Sequence, residues 1–439
     1  MKIYDSLTNK HFELVSKNVS IYNCGPTVYN DIHIGNARPL ITFDVLVRFL
    51  KTTKFSVLYV HNITDIDDKI INQAKTLKKS ESEIANTYYL HYLDVNKALN
   101  ILPMQMPKVS ENIPGIIEYI EKLIANKAAY TTNDGDVYFD VKSIPIYGIL
   151  SHQNLDQLYE GVRKETATDK KSPLDFVLWK KTESGMNWKS PWSVGRPGWH
   201  TECALFVNKY VGDHVTIHGG GIDLKFPHHE NENVQNYALF KRNIADIWMH
   251  VGHINVNNEK MAKSLNNFIL VKNLLTEYSG NDIRWFMYQS KYENPLEFTH
   301  DLFQQSTNEL LKIFQQINYG YIQMYLQKVK MIRTIATMDK EFLNALNNDL
   351  DLPNAKAVLS QQVKKMASII RSKKFDKFQK IMGTINAEFN VLGIIYTNPL
   401  DNPEIKSLVD EWQKALSEKN YILSDKYRQQ LIEKRVLNA

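Results

Sequence analysis

The chain has 439 residues, of which 43% are hydrophobic and 23% charged, and its formal net charge is +5. At about 100–200 residues per domain, this length and composition predict two to four domains with packed interiors. No apolar stretch approaches the roughly 20 residues of a membrane helix, and the N-terminus lacks the apolar core of a signal peptide, so a soluble, cytoplasmic protein is expected.

The first part of the chain predicts a βαβ unit. VSIYNC (19–24) has the β-branched and aromatic residues of a strand, and ARPLITFDVLVRFLK (37–51) has the apolar content of a buried helix. A second strand follows in KFSVLYVHNIT (54–64). This order implies a parallel sheet whose ligand-binding loops lie at the carboxyl ends of the strands.

The remaining patterns indicate an interrupted α/β domain and a helical C-terminal domain. We expect helices over 65–130, a β-rich insertion that includes 133–141, and a strand running into a glycine turn in HVTIHGGGID (214–223). Beyond about residue 300 nearly everything has helical patterning, and an Asn or Asp cap introduces a helix within 348–370. The predicted fold class is therefore α/β, a split Rossmann-like parallel sheet with an insertion, followed by an all-α domain.

The chain has two cysteines, Cys24 and Cys203. Taken alone, they fit a buried pair of small apolar side chains, or two ligands of one metal ion. A structural disulfide is disfavoured in a reducing cytosol.

Two short motifs suit phosphate binding. HIGN (33–36) precedes the first helix, where His33 and the free N–H groups of the helix N-terminus suit phosphate and Gly35 permits close approach. KMAKS (260–264) places Lys260 and Lys263 on a loop after a strand, where they could clamp a triphosphate. Either motif alone is better explained by an ordinary loop. The absence of GxxxxGK[ST] disfavours P-loop chemistry.

FPHHENEN (226–233) is rich in metal-capable side chains. Pro227 suits the first position of a helix, on which His228 and Glu232 would share a face at i and i+4. Together with the two cysteines they form a sulfur, nitrogen and oxygen set that suits Zn²⁺. By itself the stretch is more typical of a polar surface helix than of a metal site, and without HExxH a zincin protease is disfavoured.

The C-terminal quarter carries most of the net positive charge. Residues 331–439 contain 17 Lys and Arg against 13 Asp and Glu. Five of the basic residues form a strip, which is either a solvated helix face or a surface for a polyanion: Arg371, Lys373, Lys374, Lys377 and Lys380.

The pairing of HIGN with KMAKS resembles the HIGH and KMSKS signatures of class I aminoacyl-tRNA synthetases. Asn36 replaces the second histidine and Ala262 replaces a serine, but both lysines are present. CGPTVY (24–29), NITDIDDKII (62–71), PGWHTEC (197–203) and HGGGIDLKFPHHENE (218–232) extend the resemblance to the cysteinyl-tRNA synthetases, over nearly the whole chain.

The resemblance implies particular roles for matching residues. Cys24, Cys203, His228 and Glu232 would bind one zinc ion that binds the substrate thiol, and Thr64 and Trp199 would surround the amino acid. Gly220 and Asp223 would face the adenosine, and Gly35 and Lys263 would also contact ATP. His33, Asn36, Lys260 and Lys263 would stabilise the phosphates during catalysis.

The implied activity is ATP-dependent activation of L-cysteine and its transfer to the 3′ end of cysteine tRNA, with ATP entering as its Mg²⁺ complex and the protein acting as a monomer. The implied segments are two halves of the catalytic domain (1–88 and 191–258), a connective insertion (89–190), the KMSKS loop and stem-contact region (259–325) and a helical anticodon-binding domain (326–439). Two alternatives are a zinc-dependent ligase joining cysteine to an amino sugar, and a non-catalytic RNA-binding relative.

Overall fold

The computed structural model describes residues 1–153, 169–257, 259–261, 267–332 and 337–438, with the Lys260 side chain also outside the description. The chain divides into two compact units. The first unit contains 1–254, 260–276 and 293–295, and the second contains 255–259, 277–292 and the residues from 296 onward.

The first unit is built around a four-stranded parallel sheet. Its strands lie in the order Ala245–Val251, Val215–Gly221, Asn18–Asn23 and Ser56–His61. The helix Ile34–Thr52 connects the last two of these strands, which confirms the predicted βαβ unit. Because the chain adds strands on opposite sides of Asn18–Asn23, the loops after this strand and after Val215–Gly221 diverge and leave a cleft at the carboxyl edge.

The residues between the two halves of this sheet form a second sheet. It is antiparallel, and the predicted β-rich insertion is confirmed in it, with strands in this order: Ala129–Thr131, Val137–Phe139, Phe176–Lys181, Val194–Pro197 and Trp188–Lys189. Its apolar side chains share a buried cluster with the helices beside it, including Phe139, Trp179 and Phe206.

Further elements complete the first unit. The hairpin Lys2–Asp5 and Lys10–Glu13 precedes the sheet. The other helices are Asp68–Leu77, Glu81–Ala98, Ile113–Ala125, Trp199–Tyr210, Glu230–Phe240 and Val271–Leu274. The prediction of helix over 65–130 is wrong between two of them, since this stretch extends the edge of the central sheet through bridges from Val60 to Gln105 and from Ile63 to Lys108. Pro103 and Pro107 interrupt helical hydrogen bonding in this stretch, and its backbone pairs with the open sheet edge instead.

The second unit is mainly helical, as predicted. Its helices are Gly280–Met287, His300–Leu326, Lys340–Asn347, Leu352–Arg371, Phe375–Leu392, Pro403–Ser417 and Tyr421–Glu433. The predicted Asn or Asp cap is Asp351, whose side chain accepts a hydrogen bond from the Asn354 backbone N–H at 3.2 Å. The short strand Leu296–Phe298 belongs to this unit, whereas the strands Ile254–Val256 and Glu259–Lys260 each contain a boundary between the two units in the sequence. Among the described residues, no helix combines the length and the apolar character that crossing a membrane requires.

Candidate active site

A cavity of about 270 Å³ opens at the carboxyl edge of the central sheet. It lies in the cleft at the strand-order reversal, where ligands bind in open α/β sheets. Most of the residues singled out from the sequence line it, among them Cys24, His33, Gly35, Asn36, Thr64, Trp199, Cys203, Asp223 and His228.

Three of the four predicted metal ligands, Cys24, Cys203 and His228, line one end of the cavity, and the fourth, Glu232, is fully buried next to them. Cys24 follows the strand Asn18–Asn23, Cys203 lies in the helix Trp199–Tyr210, and Glu232 lies in the first turn of Glu230–Phe240. One ligand atom from each of Cys24, Cys203, His228 and Glu232 lies within 4.8 Å of the others. The two sulfur atoms are 3.7 Å apart, far beyond the roughly 2.05 Å of a disulfide.

The contact between His228 and Glu232 forms as predicted, but the local structure differs from a plain helix start. Phe226 is extended, with φ −137° and ψ 134°, and a π turn over Lys225–His229 leads into the α-helix, which begins at Glu230 rather than at Pro227. His228 Nε2 nevertheless lies 2.9 Å from Glu232 Oε1. The i and i+4 positions face each other because His228 and His229 have helical dihedrals that continue into the helix.

The ligand cluster is strongly polarised. Burial opposes ionisation of Cys203, but its hydrogen bond with Cys24 and the nearby His228 outweigh burial and lower the pKa of Cys203 to about 6. Burial and the same sulfur contact raise the pKa of Cys24. Burial disfavours charge on His228, yet the adjacent carboxylate of Glu232 raises the pKa of this imidazole to about 10. Thiol, imidazole and carboxylate groups converge here, with Cys24 half-buried and the other three residues buried, so the cluster is a candidate metal site.

Two further histidines, which were not predicted from the sequence, contact this cluster from outside. His218 Nε2 lies 2.7 Å from Glu232 Oε2. His200 Nδ1 lies 3.0 Å from His228 Nδ1, so the outer nitrogen of that ring has a partner. Such contacts orient metal-binding side chains. The signal was available in the sequence, since His200 and His218 both belong to motifs that carry the resemblance.

The predicted amino acid contacts lie beside the sulfur atoms. Trp199 stacks on His228 with ring centroids 4.3 Å apart. The Thr64 hydroxyl donates a short hydrogen bond to Glu202 and accepts one from Asn62 Nδ2 at 3.2 Å. Asn62 Oδ1 also accepts a hydrogen bond from the Gly25 backbone N–H at 2.9 Å. This bond joins the loop after the strand Asn18–Asn23 to the loop after the strand Ser56–His61.

The other end of the cavity carries the HIGN segment. Burial lowers the pKa of His33 to about 4, so at neutral pH this ring is an uncharged hydrogen-bonding group. Asn36 Oδ1 accepts a hydrogen bond from the His33 backbone N–H at 3.3 Å, so Nδ2 is the donor that Asn36 can offer a ligand. Gly221, the last residue of the strand Val215–Gly221, and Asp223 line this end, whereas Gly220 precedes them within the strand and is not part of the lining. Lys263 lies outside the described residues, and Lys260 is described only as backbone of Glu259–Lys260.

Comparison with known proteins first defines the class. Residues 11–308 match the family model described as the tRNA synthetases class I (C) catalytic domain. A Mycobacterium tuberculosis methionyl-tRNA synthetase bound by methionyl-adenylate resembles the chain with a TM-score of 0.63 at 10% identity, over 90% of this chain and 94% of that one. A Thermus thermophilus arginyl-tRNA synthetase does so with a TM-score of 0.50 at 11% identity, over 88% and 83%. At these identities the likeness shows the fold alone, which is that of a class I aminoacyl-tRNA synthetase.

Full-length relatives then define the family. The cysteine–tRNA ligase of Malacoplasma penetrans strain HF-2 is 47% identical over 442 residues, covering 100% of both chains. That of Ureaplasma parvum serovar 3 is 47% identical over 437 residues, covering 98% of this chain and 99% of its own. The chain belongs to the cysteine–tRNA ligase family of class I aminoacyl-tRNA synthetases.

Proposed function

We propose that this enzyme activates L-cysteine with ATP and transfers it to the 3′ end of cysteine tRNA. The cysteine carboxylate attacks the α-phosphorus, forming cysteinyl-adenylate and releasing pyrophosphate. A ribose hydroxyl of the tRNA then attacks the carbonyl carbon, and AMP leaves. The observation that carries the proposal is one cavity with a thiol-rich donor cluster at one end and the HIGN helix N-terminus at the other.

The full-length similarity to cysteine–tRNA ligases favours a tRNA acceptor over an amino sugar. A non-catalytic RNA-binding relative is also disfavoured, because the cavity contains both the donor cluster and the HIGN segment. The segment division and the monomeric state stated above remain predictions.

The phosphate end of the cavity acts by electrostatic stabilisation rather than through a side-chain nucleophile. Neutral His33 and the amide of Asn36 donate hydrogen bonds to α-phosphate oxygens, beside the positive end of the helix Ile34–Thr52. Asp223 and the glycines before it accommodate the adenosine. Lys260 and Lys263 stabilise the departing pyrophosphate, with Mg²⁺ accompanying the ATP.

The other end of the cavity selects cysteine. Cys24, Cys203, His228 and Glu232 would hold one Zn²⁺, and the converging, largely buried donor set fits this ion. When bound, zinc offers an electrophilic centre that prefers a soft thiolate to an alcohol. Packing separates such near-isosteres by only about 1–3 kcal/mol, so we expect the metal site to be the main barrier against serine. Thr64 and Trp199 would position the remainder of the amino acid beside it.

The test combines metal analysis with pyrophosphate exchange. The purified enzyme is expected to contain one zinc ion per chain and to prefer cysteine to serine by at least about 10⁴-fold, beyond what packing gives. Cys203→Ser should lower zinc content and reduce cysteine activation far more than residual serine activation. Serine activation in the same variant is therefore the internal control for folding. Metal-free wild-type protein that retained a strong preference for cysteine would contradict the role of the metal.

A further inference from the structure

The segment immediately after KMAKS runs alongside the HIGN segment. The Ile34 backbone N–H donates a hydrogen bond to Ile269 O at 2.9 Å, and the Val271 N–H donates one to Ile32 O at 3.0 Å. A β-bridge between His33 and Leu270 lies between these hydrogen bonds. The backbone therefore places residues 268–271 directly against the histidine of the other motif.

Within this pairing, the ring of Phe268 covers the ring of His33. The two centroids are 4.9 Å apart and the planes are inclined by 29°, a stacked arrangement. His33 Nδ1 is buried and has no hydrogen-bond partner among the described residues. Since this nitrogen is not held by a hydrogen bond, the orientation of the imidazole depends on packing, and Phe268 supplies a flat surface for it.

The strand-like segment that carries Phe268 is itself anchored. Lys272 forms a short ion pair with Asp31, whose side chain is only 7% exposed. His91 Nδ1 lies 2.8 Å from the other oxygen of the same carboxylate. Asp31 thus connects the segment after KMAKS, the loop before HIGN and the helix Glu81–Ala98, so the position of Phe268 is defined from both sides of the pairing.

We infer that Phe268 is a positioning residue for His33, holding the imidazole in the orientation that serves the α-phosphate. The inference rests on the proposed function, because it takes His33 to act on the phosphate. Phe268 itself touches neither phosphate nor amino acid in this scheme. Its contribution reaches the reaction only through the histidine, which makes a specific pattern of mutational coupling the expected signature.

The experiment is a double-mutant cycle measured by pyrophosphate exchange. Phe268→Ala is expected to lower kcat by about tenfold, since a misplacement of about 1 Å can cost up to about 100-fold. The KM for cysteine and the zinc content should stay within about twofold of wild type. Phe268→Leu should be slow as well, because it keeps apolar volume without a flat ring, whereas Phe268→Tyr should stay within about threefold of wild type.

Coupling to His33 separates positioning from a general structural role. In a His33→Ala background, replacing Phe268 by alanine should lower the exchange rate by no more than about another twofold. The control Phe12→Ala, on the exposed strand Lys10–Glu13, should leave the exchange rate unchanged in both backgrounds. The inference would be overturned if the losses of the two single variants multiplied in the double variant, or if Phe268→Ala and Phe268→Leu both kept wild-type exchange rates. Either result would leave the proposed function intact. Normal exchange in His33→Ala itself would remove the proposed role of His33 together with the inference.

Discussion

Gly35 shows how tightly the phosphate end of the cavity is packed. A Cβ atom at this position would lie 2.8 Å from Met261 Cε and 2.9 Å from His33 Nδ1, and Cβ contacts below 3.0 Å require a neighbour to move. Both neighbours belong to the segments that carry the two signature motifs. The glycine is therefore needed for the space around His33 as well as for close approach of a phosphate.

Gly35→Ala is accordingly predicted to reduce pyrophosphate exchange by about tenfold or more through displacement of the His33 ring. The variant should fold normally, with an unfolding midpoint near that of wild type. Gly115→Ala, in the helix Ile113–Ala125, is the matched control. A Cβ atom there would meet only the methyl groups of Leu205, the nearer at 3.5 Å. It should retain full exchange activity and gain up to about 1 kcal/mol of stability. Equal exchange rates in the two variants would show that the space beside His33 is not critical.

The ligand cluster also contains a contact that was not predicted from the sequence. Glu232 has a histidine on each oxygen, with His218 at 2.7 Å and His228 at 2.9 Å. The spacing of His228 and Glu232 could be read from the sequence. The approach of His218, 14 positions earlier, depends on how a strand and a helix pack, which no local spacing indicates.

At the level of elements, the helix Phe375–Leu392 contains a buried carboxyl group. Burial raises the pKa of Glu388 from its ordinary value of 4.5 to about 7. Glu388 Oε1 accepts hydrogen bonds from the Asp339 backbone N–H at 3.0 Å and from Gln362 Nε2 at 3.0 Å. Gln362 Oε1 is buried without a partner among the described residues, so a reversed Gln362 amide could accept a hydrogen bond from protonated Glu388.

This shift predicts a pH-dependent stability of the helix. Between pH 4.5 and 7 the unfolded carboxyl group has released its proton while the folded one retains it, so the free energy of opening falls as the pH rises. The stabilisation is complete below pH 4.5, and up to about 3 kcal/mol is lost as the pH rises through 7. Hydrogen exchange of peptides covering 375–392, corrected for intrinsic rates, measures the opening free energy from pH 5 to 8.

Glu388→Gln should remove this pH dependence, because the amide keeps the hydrogen bonds and cannot ionise. Glu341→Gln, on the exposed face of Lys340–Asn347, is the control and should behave like wild type. A wild-type opening free energy that stays constant from pH 5 to 8 would contradict the raised pKa.

At the level of the whole molecule, the two units are expected to have different tasks. All described residues of the candidate active site belong to the first unit, whereas the basic strip Arg371, Lys373, Lys374, Lys377 and Lys380 belongs to the second. All five strip residues are exposed, around the junction of Leu352–Arg371 and Phe375–Leu392. A solvated helix face remains the alternative to a tRNA backbone contact.

We predict that reversing two strip charges, Lys373→Glu with Lys377→Glu, weakens tRNA binding and flattens its salt dependence. Each lost phosphate contact should reduce the slope of log affinity against log salt by about one. Pyrophosphate exchange without tRNA should be unchanged. The control, Lys2→Glu with Lys10→Glu, changes the net charge equally at exposed positions of the first unit. Identical salt slopes in the two variants would assign the strip to a solvated face.

Much of this protein follows from short-range patterns. The βαβ unit, the Asp351 cap and the helical second unit depend on neighbours within a few positions, and propensity, hydrophobic periodicity and capping act at that range. The signature motifs likewise identify the family and contain the candidate site residues, because the chemistry of a side chain does not depend on where the fold places it.

Only the tertiary structure decided which distant side chains meet. Cys24 and Cys203 approach to 3.7 Å across 179 positions of sequence because strand order and helix packing bring their elements together. The same long-range packing drew 101–109 onto the sheet edge, brought His218 to Glu232 and placed Phe268 on His33. Which of these contacts form depends on the free energies of whole arrangements of the chain. The sequence around each residue therefore gives no local signal of its partner.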